Sequence, residues 1–341
     1  MTAQGAGRVT IADIAREAGV SLPTVSRVLN GRADVSPSTR RRVEELLAHH
    51  GYRRRGAQAG SRAELIDLVF NDLDSPWAVE ILRGVEDVAH AAGLGTVVSA
   101  VHHRSTSAQQ WLVNLRARAS DGVILVTSDL APELYPELSR LGVPTVIIDP
   151  AGVPTFGIPT IGAMNWAGGR SAVEHLLALG HRRIGVITGP PTLLCSRARL
   201  DGYRAALESA GVEIDDRLVR QGDFSHEAGF GSGTELIGLA DPPTAIFASS
   251  DQMALGVYEA ARQHDLRIPD DLSVVGFDDL PQVQWSPPPL TTVRQPLDEM
   301  GQVAARTLLR LIQGETLESP HVELATRLVV RSSTGPARPT G

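Results

Sequence analysis

From Leu65 onward, short aliphatic runs alternate with stretches of helical periodicity, and that alternation leaves few architectures open. The runs Ile66–Phe70, Thr96–Ala100, Gly122–Val126, Thr145–Ile148, Ile184–Thr188, Ala245–Ala248 and Ser273–Gly276 are largely apolar throughout, not at every second position. Strands of that kind are buried on both faces, which requires parallel sheets with helices above and below. The stretches Val79–Ala92, Gly168–Leu179, Arg197–Ala210, Ala228–Ile237 and Met253–His264 supply those helices. About 275 residues suit two such units better than one. The expected fold is thus an α/β body of two doubly wound parallel-sheet subdomains, with a crevice at the strands' carboxyl ends.

Residues 1–62 read differently. Thr10 is placed to cap a helix over Ile11–Ala18, and Gly19 gives a tight turn. Ser21 caps a second helix through Asn30, with Pro23 tolerated in its first turn. Ser36-Pro37 opens a third helix that runs to about His50, before Gly51. Ile11, Ile14, Ala15, Val20, Val25 and Val28 can share a small core, which leaves Leu22, Pro23, Ser26 and Arg27 on the outer face of the second helix. This all-α segment is a helix-turn-helix headpiece in physical terms.

Charge decides what such a module is for. The chain's net charge of −7 argues against a nucleic-acid partner until it is divided along the sequence. Residues 1–62 carry eleven arginines against five acids, a net of +6, which leaves −13 for the rest. All 32 basic residues are arginine, which a GC-rich coding bias explains without invoking function. A basic module on an acidic body points to double-stranded DNA as the partner. Arg27 can fork two hydrogen bonds to a guanine edge, while Thr10, Thr24, Ser26 and Asn30 can bond phosphates. Two helices that merely pack around a glycine turn are the plainer alternative. The local charge and the basic linker beginning Arg53-Arg54-Arg55 weigh against it. The expected boundaries are a headpiece and basic hinge over 1–62, a ligand-binding and dimerising body over 63–335, and a flexible tail over 336–341.

Several classes fall away. The single cysteine, Cys195, excludes a disulfide framework and a multi-cysteine zinc site. His49-His50 and His102-His103 lack metal-ligand spacing, and His226-Glu227 lacks a second histidine. No Gly-x-Ser-x-Gly or P-loop occurs, and Gly229-Phe-Gly-Ser-Gly233 falls early in a helix with no basic partner, so it reads as packing. The expectation is a non-enzyme with no metal and no cofactor. No uncharged apolar run reaches the roughly 18 residues of a membrane span, and no charged-then-apolar leader opens the sequence. A cytoplasmic protein with no membrane partner, held to the nucleoid through operator DNA, is expected.

The motifs Thr10-Ile-Ala-Asp-Ile-Ala, Ala18-Gly-Val-Ser, Thr24-Val-Ser-Arg-Val-Leu-Asn-Gly31 and Val35-Ser-Pro-Ser-Thr-Arg occur in the headpiece. The body holds Leu179-Gly-His-Arg-Arg-Ile-Gly, Arg199-Leu-Asp-Gly-Tyr, Ser250-Asp-Gln-Met-Ala-Leu-Gly, Asp271-Leu-Ser-Val-Val-Gly-Phe-Asp-Asp279 and Pro289-Leu-Thr-Thr-Val. In order and spacing these resemble the lactose-repressor/galactose-repressor (LacI/GalR) family of bacterial transcription regulators along nearly the whole chain. The resemblance implies a DNA-binding headpiece, a hinge helix, and two subdomains like those of periplasmic sugar-binding proteins. One departure stands out. Family members usually carry a hinge-helix leucine that wedges into the minor groove, whereas Arg53–Arg62 here holds Gly56, Gly60 and Ser61. The clustered Arg53, Arg54 and Arg55 are expected to grip phosphates or the minor groove instead.

The same resemblance nominates the ligand residues. Ser75-Pro76-Trp77 resembles a loop that brings an aromatic into the cleft; the alternative is an aromatic covering the domain edge. Arg199 resembles the arginine that grips ligand, against the alternative of a surface ion pair. Phe224 corresponds to an aromatic facing the ligand, against simple packing. Asp278 resembles the aspartate that bonds ligand hydroxyls, against a capping turn. Asp72, Asp149, Asn165, Trp166, Ser250 and Gln295 are lesser candidates. Met164-Asn165 stands where many members read Asp-Asn, and Cys195 reads as an inert buried thiol in a position that often lines the pocket.

Aromatics among several Asp and Asn residues suit a mono- or oligosaccharide better than a purine. The segment Asn165-Trp-Ala-Gly-Gly169 looks like regulators of plant β-oligosaccharide use. The implied mechanism is repression by a homodimer on two operator half-sites, relieved when the effector closes the cleft. No leucine heptad occurs near the end of the sequence, which favours a dimer over a tetramer. The alternative is a regulator of the same fold that is ligand-independent or controlled by a corepressor or partner protein.

Overall fold

A computed structural model describes residues 11–29, 35–50, 63–102, 105–126, 134–150, 152 and 157–338. The chain divides into two compact units, Met1–Arg62 and Ala63–Gly341.

In the first unit, α1 spans Ile11–Ala18, α2 spans Leu22–Leu29 and α3 spans Pro37–His49. Gly19 turns the chain between α1 and α2 with φ +65°, a conformation that costs a residue with a Cβ. Ser21 starts α2 by accepting from the Thr24 amide (3.4 Å), and Ser36 starts α3 by accepting from the Thr39 amide (3.3 Å). Ile14, Ala15, Ala18, Val25, Val28, Val35, Val43 and Leu47 make one shared core. Ile11, expected in that core, has a side chain outside the described residues.

The second unit contains two six-stranded sheets. The first is built from β1 (Leu65–Phe70), β2 (Gly95–Ala100), β3 (Gly122–Val126), β4 (Thr145–Ile148), β5 (Thr160–Ala163) and β11 (His321–Leu324), in the order β11-β5-β4-β3-β1-β2. The second holds β6 (Ile184–Thr188), β7 (Val219–Gln221), β8 (Ala245–Ala248), β9 (Ser273–Asp278), β10 (Thr291–Arg294) and β12 (Arg327–Val329), in the order β12-β10-β9-β8-β6-β7. Every pairing is parallel except β10 with β12. That edge strand is the one departure from the expected all-parallel winding.

Helices cover both faces of each sheet, which is why the strand runs are apolar throughout. On the first sheet, α4 (Pro76–Ala91) and α11 (Leu297–Ile312) enclose one core, and α5 (Ser105–Arg118) and α6 (Leu134–Leu141) the other. On the second, α7 (Asn165–Ala178) and α8 (Leu194–Ser209) lie opposite α9 (His226–Ile237) and α10 (Asp251–Gln263). Three helix pairs approach through reciprocal glycines. A Cβ on Gly84 of α4 would lie 1.9 Å from the Asp298 carbonyl oxygen, and one on Gly301 of α11 would lie 2.4 Å from that of Ile81. Gly169 faces the Arg199 carbonyl and Gly202 that of Trp166, at 2.4 and 2.3 Å, between α7 and α8. Gly229 and Gly256 do the same between α9 and α10, both at 2.2 Å, so the glycine-rich stretch at 229–233 serves packing as read.

The chain crosses between subdomains at Met164, at Gln295-Pro296 and at Ala325-Thr326. The first and third crossings are tied together: the Met164 amide donates to the Leu324 carbonyl (2.9 Å), and Thr326 Oγ1 donates to the Met164 carbonyl (3.2 Å). Residues 336–338, expected to hang free, are held instead. The Ala337 amide donates to the Leu179 carbonyl at the end of α7 (2.9 Å), and Arg338 pairs with Asp271. Among the described residues no helix is long and apolar enough to cross a membrane, and no group of three or more His, Cys, Asp or Glu could hold a metal.

Candidate functional site

Arg199 is the centre of a buried polar group in the second unit. It lies on the first half of α8 and is only 3 % exposed, which leaves its guanidinium dependent on protein partners. Its Nε donates to Asn165 Oδ1 (2.8 Å) and its Nη1 to the Ser249 carbonyl (2.6 Å). Asp278 Oδ1 sits 3.8 Å from Nη1. The guanidinium carbon lies 3.8 Å from the Phe277 ring centroid and 5.7 Å from that of Phe224, so aromatic faces flank the charge. A surface ion pair, the alternative reading of this arginine, does not describe it.

Asp278 ends β9 at the carboxyl edge of the second sheet and accepts from Gln295 Nε2 (2.7 Å). Burial pushes its pKa up to about 6, against the lowering effect of Arg199 and then of the Gln295 hydrogen bond. The backbone here is strained, with φ +120° at Asp278 and +62° at Asp279. It is held by the buried Asp279 carboxylate, which pairs with Arg294 and Arg331. Below them the buried Asp251 carboxylate accepts from Thr292 Oγ1 (2.5 Å) and the Leu280 amide (2.7 Å). Burial raises the Asp251 pKa well above the usual carboxylate range, and the neighbouring Asp278 adds to that.

Asp149 follows β4 with φ +52°, and burial raises its pKa, opposed by Arg199. The Cys195 thiol lies beside it. Burial first, and the Asp149 charge second, hold that thiol far above its ordinary range, so it stays protonated and unreactive. Phe224 adopts φ +74° and rests against Gly189, where a Cβ would come within 2.1 Å of its ring. Asp149, Asn165, Arg199, Phe224, Asp278 and Gln295 thus form one group. Ser250 is next to it but otherwise employed: its hydroxyl accepts from the Met253 amide, capping α10, and donates to the Phe224 carbonyl, both at 3.1 Å.

The other candidates stand apart. Trp77 is half-buried against the core of the first sheet, consistent with the edge-covering alternative. Asp72 lies 3.0 Å from His102 Nδ1. Trp166, 44 % exposed on the first turn of α7, borders a cavity of about 500 Å³ together with Asp149, Asn165 and Cys195. Three buried polar atoms around Arg199 and Phe224 have no hydrogen-bond partner among the described residues: Ser196 Oγ, Ser249 Oγ and Gln295 Oε1. The sequence reading missed both serines. Their position beside Arg199 and at the carboxyl end of β8 was the only available signal.

In the headpiece, α2 presents Leu22, Pro23 and Arg27 as exposed residues, whereas the Thr24 hydroxyl is 2.8 Å from that of Ser21. Thr10, Asn30, Arg53, Arg54, Arg55 and the Ser26 side chain lie outside the described residues.

A helix-turn-helix unit and a two-sheet body with a buried polar cleft define the class of ligand-binding DNA regulators. Residues 10–55 match the bacterial regulatory proteins of the lacI family, and residues 173–334 match the periplasmic binding protein-like domain. The HTH-type transcriptional repressor CytR of Escherichia coli (strain K12) is 34 % identical over 330 residues, covering 95 % of this chain and 96 % of that protein. A complex of the transcriptional regulator CelR with cellobiose aligns with TM-score 0.74 at 35 % identity, over 96 % of this chain and all of that one. The lac repressor dimer bound to operator and an anti-inducer aligns with TM-score 0.73 at 31 % identity, also over 96 % and 100 %. The chain belongs to the lacI family and is a DNA-binding transcriptional regulator.

Proposed function

We propose that this regulator represses carbohydrate-utilisation genes and leaves its operator when a neutral sugar binds between the two subdomains. The observation that carries the reading is the pairing of Arg199 and Asp278 with the unsatisfied Ser196, Ser249 and Gln295 oxygens, flanked by the Phe224 ring. Ring hydroxyls meet both needs at once, donating to carboxylate and orphan oxygens while accepting from Arg199. A phosphorylated or otherwise anionic effector would place its charge beside Asp149 and Asp278, which disfavours it. The cellobiose held by the CelR relative supports a β-linked sugar as the leading class.

The protein works as a cytoplasmic homodimer in this reading. Trp285, 77 % exposed, lines a groove of about 750 Å³ with Leu255, Tyr258 and Ile268 and with the charged Glu259, Arg262 and Arg267, a mixed surface suited to a second copy. Release of labelled operator by sugars, followed by anisotropy, tests the proposal: a sugar that binds and frees DNA supports it, while tighter operator binding makes the sugar a corepressor. Arg27→Ala should remove about 1–3 kcal/mol of discrimination at one base pair, measured across operator variants. Unchanged base preference would assign Arg27 to the backbone.

A further inference from the structure

The loop that leaves β9 is anchored in two different cores. Leu280, 2 % exposed, is buried in the core that α4 and α11 enclose on the first sheet, although the strand it follows belongs to the second. Val283, fully buried, returns to the core that α9 and α10 enclose on the second sheet. Between them runs a single 3-10 turn, Pro281–Gln284, closed by the Val283 amide donating to the Leu280 carbonyl (3.2 Å). The backbone leading into Leu280 is fixed from the second subdomain at every residue. Asp278 accepts the Gln295 side-chain amide on its carboxylate (2.7 Å) and the Gln295 main-chain amide on its carbonyl (3.2 Å). Asp279 pairs with Arg294 and Arg331, and the Leu280 amide donates to the buried Asp251 carboxylate (2.7 Å). With φ +120° at Asp278 and +62° at Asp279, this stretch is over-determined and has no slack.

We propose that Leu280 is a pin between the subdomains, a positioning residue rigid with the second and seated in the core of the first, which fixes their relative angle for operator binding. The three chain crossings turn about their backbone torsions. A side chain in a packed core does not turn freely, because such cores hold a few discrete arrangements and no continuum between them. Rotation of one subdomain against the other therefore has to reseat Leu280. Asp278 lies two residues before the pin in a stretch without slack, so a displacement at the polar group is passed to the first subdomain by a route separate from the crossings. Without the pin the body samples arrangements that do not suit the operator, and apparent affinity falls by the fraction lost. The inference holds whatever effector the protein takes.

The test compares Leu280→Ala with Val283→Ala, two truncations one turn apart whose side chains sit in opposite cores. Hydrogen exchange of the full chain, read by mass spectrometry, should quicken at least about fivefold in α4 and α11 for Leu280→Ala with α9 and α10 unchanged, and the reverse for Val283→Ala. Operator affinity is measured by anisotropy on a duplex that the parent selects from a random pool. It should fall at least about fivefold in Leu280→Ala and less than about twofold in Val283→Ala. Leu280→Met, which keeps the volume and the apolar character, should bind operator as the parent does. Where Leu280→Ala does not fold, Leu280→Val carries both measurements, with an expected loss of about threefold in operator affinity. Faster exchange confined to α9 and α10 in the Leu280 variants places the residue in the second core and overturns the pin. Operator affinity within about twofold of the parent, with α4 and α11 loosened, leaves Leu280 a packing residue alone and overturns it as well.

Discussion

The two lips of the cleft are built unequally. The second subdomain contributes Asn165, Arg199, Phe224, Asp278 and Gln295 to one polar group; the first contributes only Asp149 to it, with Asp72 standing beside His102 and Trp77 against its own core. Ser75 Oγ and Gln252 Oε1 span the opening at 3.2 Å. The difference teaches that one lip is largely organised without a ligand, so a sugar bound as proposed would draw most of its affinity from that lip.

The inequality is open to direct attack. Replacing Arg199 by Ala should lower sugar affinity at least about a hundredfold and destabilise the fold by about 3 kcal/mol, because Asp278 loses its counter-ion inside the protein. Calorimetric titration and denaturant unfolding read the two effects, and an affinity within threefold of the parent would break the comparison. A smaller effect follows from pH. Asp278 accepts hydroxyls best when ionised, so with its pKa near 6 affinity should be flat above pH 7 and about tenfold weaker at pH 5. Stability runs the other way. A carboxyl whose pKa is raised on folding binds more protons in the native state, so its contribution to stability falls as pH rises from about 4 to about 6. Opposite slopes for affinity and stability in that window sharpen the assignment, and parallel slopes refute it. The smallest effect belongs to the first lip: Trp77→Ala should reduce affinity less than about threefold while costing about 2 kcal/mol of stability through lost packing. A tenfold loss of affinity would restore Trp77 as a stacking platform.

How far the sequence could be read depends on where the information lies. Runs such as Gly122–Val126, buried at all five positions, announce a central parallel strand locally. β11 does not, because His321-Val-Glu-Leu alternates exposed and half-buried positions and becomes a strand only by pairing with β5. Thr291–Arg294 begins with two buried threonines and reads as polar until its partners are known. The site divides in the same way. Arg199 and Asp278 stand in motifs that draw the eye, whereas Ser196 and Ser249 are ordinary serines until the fold buries them beside an arginine. Ser250 shows the reverse: a polar residue in a family motif whose hydroxyl turns out to hold a helix start and the Phe224 backbone.

The glycine-matched crossing of α7 and α8 has a further meaning for how this protein adapts. Gly169 admits the backbone of Arg199, and Gly202 admits that of Trp166, so Arg199, Asn165 and Trp166 ride on two helices locked face to face. A single methyl group at either glycine would push the pair apart and misplace both without altering any ligand-contacting atom. New sugar preferences are therefore accessible by exchanging side-chain tips along this frame, and are closed to any route that requires the helices to slide.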